Sequence, residues 1–113
     1  MGKIPDSLQI GNSIYKVKMV SDLKSEPDEN GETTGYYGVV SHTGLTIRIE
    51  QDMEYYTQVV ALLHEAMHGI VHRAGHSVDI DGVIEERLVQ CLSYGVVALM
   101  RDNPELIKSI CKK

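Results

Sequence analysis

Residues Leu45 to Gly75 read LTIRIEQDMEYYTQVVALLHEAMHGIVHRAG, and this stretch decides the fold. At its start Leu45, Ile47 and Ile49 alternate with Thr46 and Arg48, the two-residue period of a strand with one buried and one wet face. From about Glu54 the period changes. Val59, Leu63, Ala66 and Ile70 recur at helical spacing, with Val60, Met67 and Val71 beside them, so an amphipathic helix follows the strand directly. Gly75 closes the run as a glycine just past a helix end does.

Working back toward the N-terminus, the chain alternates. Leu8 to Ile10 and Ser13 to Val20 flank Gly11-Asn12, which predicts a hairpin. Tyr36 to Val40 and Leu45 to Ile49 form a second strand pair around Ser41-His42-Thr43-Gly44. Between the two pairs, residues 22–35 (DLKSEPDENGETTG) are polar and acidic and carry Pro27, Gly31 and Gly35, the composition of a surface loop. Toward the C-terminus, residues 76–82 connect to a second helix, from about Val83 to Arg101, whose expected core stripe is Ile84, Leu88, Leu92, Val96 and Leu99. Asn103-Pro104 breaks it, and Pro104 starts a short last helix to about Cys111. The expected fold class is therefore α+β: an antiparallel sheet of about four strands, then two long helices and a short one.

Length and composition fit this reading. A chain of 113 residues makes one domain, 1–113, with 42% hydrophobic residues. There is no Trp and no Phe, so the six tyrosines are expected to do their packing. The net charge of −5 and the scattered basic residues argue against nucleic-acid binding. No segment has the apolar run of a signal peptide or of a membrane span, so a soluble, cytoplasmic protein is expected. Cys91 and Cys111 form no CxxC motif and are expected as reduced, partly buried thiols on helices.

The chemistry lies in His64-Glu65-Ala66-Met67-His68, an HExxH motif inside the first helix. Residues four apart stand one above the other on a helix face, so His64 and His68 can converge on one Zn²⁺. Glu65 is turned by about 100° from His64. It is poorly placed as a ligand and well placed to reach a water at the centre as general base. A random order of this composition gives the pattern in only about 1–2% of chains. A catalytic zinc site needs a third protein ligand. His72 lies about 12 Å along the axis from His64, too far to share the ion. Val71 and Ala74 stand where the long HExxHxxGxxH signature needs Gly and His. His76, Glu85 and Glu86 remain as candidates, and the two glutamates open the second helix, where a carboxylate suits the helix dipole.

Strand pairs followed by LLHEAMHGI and then IEERLVQCLSYGVVALMRDNPEL resemble small phage-encoded metallopeptidase-type proteins, similar to the ImmA-like branch of the gluzincin (zincin-like) metallopeptidases. The resemblance covers about Leu8 to Leu106, with HExxH its most specific part. It implies a third ligand that opens the helix after HExxH, followed by small or apolar residues three, six, seven, ten and eleven positions on. Counting from Glu86 gives Val89, Leu92, Ser93, Val96 and Val97, which fit; counting from Glu85 fits less well. The resemblance thus favours His64, His68 and Glu86 as metal ligands. It sets Gln90 where relatives of the wider clan carry an Asp or Asn, a place from which it could orient an imidazole. It further implies zinc-dependent hydrolysis of a peptide or protein substrate held as an extended chain by an edge strand, with Leu45–Ile49 directly before the helix. Tyr55, Tyr56, His72 and Tyr94 are candidates to stabilise the oxyanion. The chain departs from the family in having Val97-Ala98-Leu99-Met100-Arg101 for the usual LLMP-like ending, and in lacking a helix-turn-helix domain. The alternative to an enzyme is a zinc-binding regulatory or structural protein of the same fold without turnover.

Overall fold

The computed structural model describes residues 2–21, 23, 37–75 and 79–112. Apart from Leu23, the expected surface loop 22–35 lies outside them, as do Tyr36 and His76. Leu23 itself is fully buried, and its backbone N–H donates to Glu50 Oε1 at 2.8 Å.

Four strands and three helices follow in the expected order. Strands β1 (Ser7–Ile10) and β2 (Ser13–Val20) form the first hairpin, and Gly11, at φ +62°, supplies the left-handed residue that its two-residue turn needs. Strands β3 (Gly38–Ser41) and β4 (Thr46–Glu50) form the second. The sheet order is β1-β2-β4-β3, and the central pair, β2 with β4, is parallel. The sheet is therefore mixed rather than wholly antiparallel. Each hairpin is antiparallel because its turn is short, whereas the long connection from β2 lets the second hairpin dock in either direction. The order leaves β3 at the edge and puts β4 in the interior.

Helix α1 (Tyr55–Arg73) covers one face of the sheet. Tyr15, Val17, Ile47 and Ile49 point up from the strands to meet Ala61, Leu62 and Ala66. Gly69 marks the tightest approach: a Cβ there would stand 2.9 Å from Ile10 Cδ1. The buried face of α1 thus runs through Leu62, Glu65, Ala66 and Gly69, and Ile70, expected in the stripe, is exposed. Gly75, at φ +82°, ends the helix as expected.

Helix α2 (Gly82–Asp102) is capped by Asp81, whose Oδ1 accepts from Val83 N–H at 2.8 Å and Ile84 N–H at 3.4 Å. It packs on α1 through Val89, Ser93 and Val97. The expected core stripe is overturned here: Ile84, Leu88, Leu92 and Leu99 are about half exposed. Periodicity finds the apolar face of a helix but not which face has a neighbour. Helix α3 (Pro104–Cys111) packs on α2 and buries no residue. Cys91 and Cys111 are unpaired and exposed rather than partly buried. Of the tyrosines, Tyr15 is buried in the core, while Tyr37, Tyr56 and Tyr94 are exposed and do not replace Phe or Trp there. No helix among the described residues is long and apolar enough to cross a membrane.

Candidate metal centre

The second half of α1 and the first turn of α2 meet beside the open edge of the sheet. His64 and His68, one turn apart, both lean toward α2, their ring centroids 5.0 Å apart. Asp81 starts α2 so that two successive carboxylates, Glu85 and Glu86, leave its first two turns toward these rings. Glu86 places Oε1 2.9 Å from His64 Nε2 and Oε2 2.9 Å from His68 Nε2. One donor atom from each of His64, His68 and Glu86 lies within 4.8 Å of the others.

Glu85 does something different. Its Oε2 lies 2.5 Å from His68 Nδ1. A carboxylate only accepts, so Glu85 draws a proton to Nδ1 and leaves Nε2, the nitrogen that faces Glu86, as the one that would ligate an ion held between them. Adjacent glutamates thus split two tasks, one facing the ring nitrogens that converge and one fixing a ring from behind. Gln90 lines the cleft but bonds neither imidazole among the described residues, so the orienting contact comes from Glu85 instead.

The donor set fits zinc. Two imidazoles and a carboxylate are a known catalytic set, and donors around a tetrahedral ion with bonds of about 2.0–2.1 Å lie roughly 3.4 Å apart. The observed donors, 2.9 Å from each imidazole to Glu86 and within 4.8 Å as a set, lie on either side of that value. His64 is held below the usual histidine pKa, mainly by burial, with the Glu86 carboxylate opposing and His68 assisting. The neutral ring favoured in this way is the ligating form.

Glu65 is not one of the three converging donors but stands beside them in the wall of the same cleft. Its side chain is 8% exposed and packs under β3, where a Cβ on Gly38 would stand 3.1 Å from its Cγ and 3.3 Å from its Oε2. Burial raises its carboxyl to about 7, with the nearby Glu86 adding to the rise and His68 opposing it. A carboxyl half-protonated near neutrality can both take and return a proton.

An open cleft of about 540 Å³ joins these groups, and Glu65 lines it together with His64, His68, Glu86, Tyr37 and Tyr94. Of the four oxyanion candidates, Tyr94 alone reaches it. Tyr55 packs on the core, Tyr56 carries the Arg101 guanidinium over its ring at 5.4 Å, and His72 stacks on His42 at 4.2 Å. Tyr37 enters the wall unannounced by any sequence signal.

A further cluster braces the far end of α1. Tyr15 Oη is 3.3 Å from His42 Nδ1 and accepts from Arg73 Nε at 3.1 Å, and Arg73 Nη2 donates to the His42 carbonyl at 2.8 Å. Burial, then His72 and Arg73, push His42 below its usual pKa. These residues lie up to 58 positions apart, and no local pattern links them.

No family model, curated protein or solved structure matches this chain.

Proposed function

We propose that this chain is a zinc-dependent peptide hydrolase of the zincin-like, ImmA-related kind, with His64, His68 and Glu86 holding the metal and Glu65 as general base. The observation that carries the reading is the convergence of the three donors in the same cleft as a buried, near-neutral carboxyl.

Zinc held by such a set supplies Lewis acidity toward a water and a scissile carbonyl. The chain's own residues do the rest. Glu85 keeps the His68 ring in its working tautomer. Glu65 takes the proton of the attacking water and delivers it to the leaving amine, a double duty suited to a group that titrates near 7. Strand β3, paired among the described residues with β4 alone, turns its other edge along the cleft through Gly38, Val39 and Val40, where an extended peptide can add as a further strand. The edge thus belongs to β3 and not to Leu45–Ile49, whose strand β4 is hydrogen-bonded on both sides. Tyr94, on α2 two turns beyond Glu86, is the tyrosine placed to meet a developing oxyanion.

The test is Glu65→Gln in the zinc-loaded protein against a library of short peptides. Zinc should stay bound while cleavage falls by roughly 10²–10⁴-fold or more. Cleavage that survives the substitution at the wild-type rate would remove Glu65 from the reaction. A wild-type protein that holds zinc and cleaves nothing would favour the non-catalytic alternative.

A further inference from the structure

Helix α2 has three faces. One buries Val89, Ser93 and Val97 against α1 and carries Glu86 at its start. A second, turned by about 135° around the axis, carries Ile84, Leu88, Leu92 and Leu99, each 50–54% exposed. The remainder bears Arg87 and Arg101. The largest apolar side chains of the helix therefore stand outside, and α3 adds exposed Leu106 and Ile110 without burying a residue of its own.

We propose that this face pairs with the same face of a second copy of the chain, α2 against α2 in antiparallel register. Area and shape both favour this occupant. At roughly 100 Å² for each half-exposed Leu or Ile, the four side chains of the α2 stripe present on the order of 400 Å² of apolar surface, within the range of the largest patch on a monomer. A standard interface buries roughly 800 Å² per partner, a little over half of it apolar, so this stripe with a polar rim supplies about what a dimer needs.

The stripe is also complementary to its own reverse. A two-fold axis between Cys91 and Leu92 sets Ile84 opposite Leu99, Leu88 opposite Gly95 and Leu92 opposite Cys91. Each pair but the first joins a large side chain to a small one. Gly95 weakens a helix interior relative to alanine, and nothing of its own chain lies within 4 Å of where its Cβ would be. A leucine from the partner fills that space. The cleft opens on the opposite side of α2, through Glu86, Gln90 and Tyr94, so pairing leaves it accessible.

Sedimentation equilibrium on the full chain, from low to high micromolar, tests this. The wild type should show twice the mass of the 12.6 kDa chain. Leu88→Asp and, separately, Gly95→Leu should return the chain to a monomer with an unchanged helical spectrum, because both positions are exposed in the single chain. Ile14→Asp, exposed on the sheet, should leave the dimer intact. In a Cys111→Ser background a short bis-maleimide should join two copies through Cys91. A wild type that stays monomeric throughout, with the face open to a hydrophobic dye, would overturn the proposal and leave the surface to a different protein. A dimer that survives both Leu88→Asp and Gly95→Leu would place the interface elsewhere.

Discussion

Helices α1 and α2 are both amphipathic, and they treat their apolar residues in opposite ways. Helix α1 turns Leu62 and Ala66 onto the sheet and accepts a charged group, Glu65, into the same buried face. Helix α2 turns small residues inward and leaves Ile84, Leu88, Leu92 and Leu99 outside. The difference follows from what each helix must deliver. The rotation of α1 is set by a close approach at Gly69 to Ile10 and Tyr15. The rotation of α2 is set by its first turns, where Glu85 and Glu86 both reach the histidines. Hydrophobicity alone would have turned α2 the other way.

Truncation separates the two helices most sharply. Leu62→Ala removes a side chain buried between α1 and the sheet, and urea unfolding should show a loss of about 2–5 kcal/mol. A loss below 1 kcal/mol would mean that the face of α1 packed on the sheet is not the core. The intermediate effect has the opposite sign. Glu65 has its folded carboxyl raised from 4.5 to about 7, so between those values the folded chain binds more protons than the unfolded one. Stability of the metal-free protein from this group is present below 4.5 and is lost as pH rises through 7. Glu65→Gln does not titrate, and at pH 8 it should stabilise the metal-free chain by about 2–3 kcal/mol, with the gain vanishing near pH 4.5. A destabilised variant at pH 8 would show that the buried carboxylate is better solvated than its surroundings imply. The smallest effect belongs to Leu88→Ala, half exposed on α2, which should change the stability of the single chain by less than about 1 kcal/mol.

Much of this was legible in the sequence, and the rest had physical reasons for staying hidden. The strand pairs, the turn at Gly11-Asn12 and all three helices could be read, because they rest on local periodicity and on glycine and proline signals. The spacing of His64 and His68 was legible for the same reason: helical geometry converts sequence separation directly into a shared face. The parallel pairing of β2 with β4 was not, since no local pattern selects the direction in which two hairpins dock. The stripe of α2 misled because which face of a helix meets a neighbour is not something periodicity reports. The count of small or apolar residues from Glu86 named Val89, Leu92, Ser93, Val96 and Val97; α2 buries Val89, Ser93 and Val97, while Leu92 is half exposed. The separate task of Glu85 could not be read, because which of two adjacent carboxylates meets which ring nitrogen depends on how α2 crosses α1. The Tyr15, His42 and Arg73 contacts join three distant segments and left no mark in any one of them.

Metal content by mass spectrometry of the native protein tests the central claim most directly, on the wild type and on His68→Ala, Glu86→Ala and Glu85→Ala. One zinc per wild-type chain is expected, with loss of zinc in His68→Ala and Glu86→Ala, and weaker but retained binding in Glu85→Ala, in the roughly 10–100-fold range typical of an orienting partner. A wild-type chain that takes up no zinc after reconstitution, or a Glu86→Ala variant that binds it as tightly as the wild type, would contradict it.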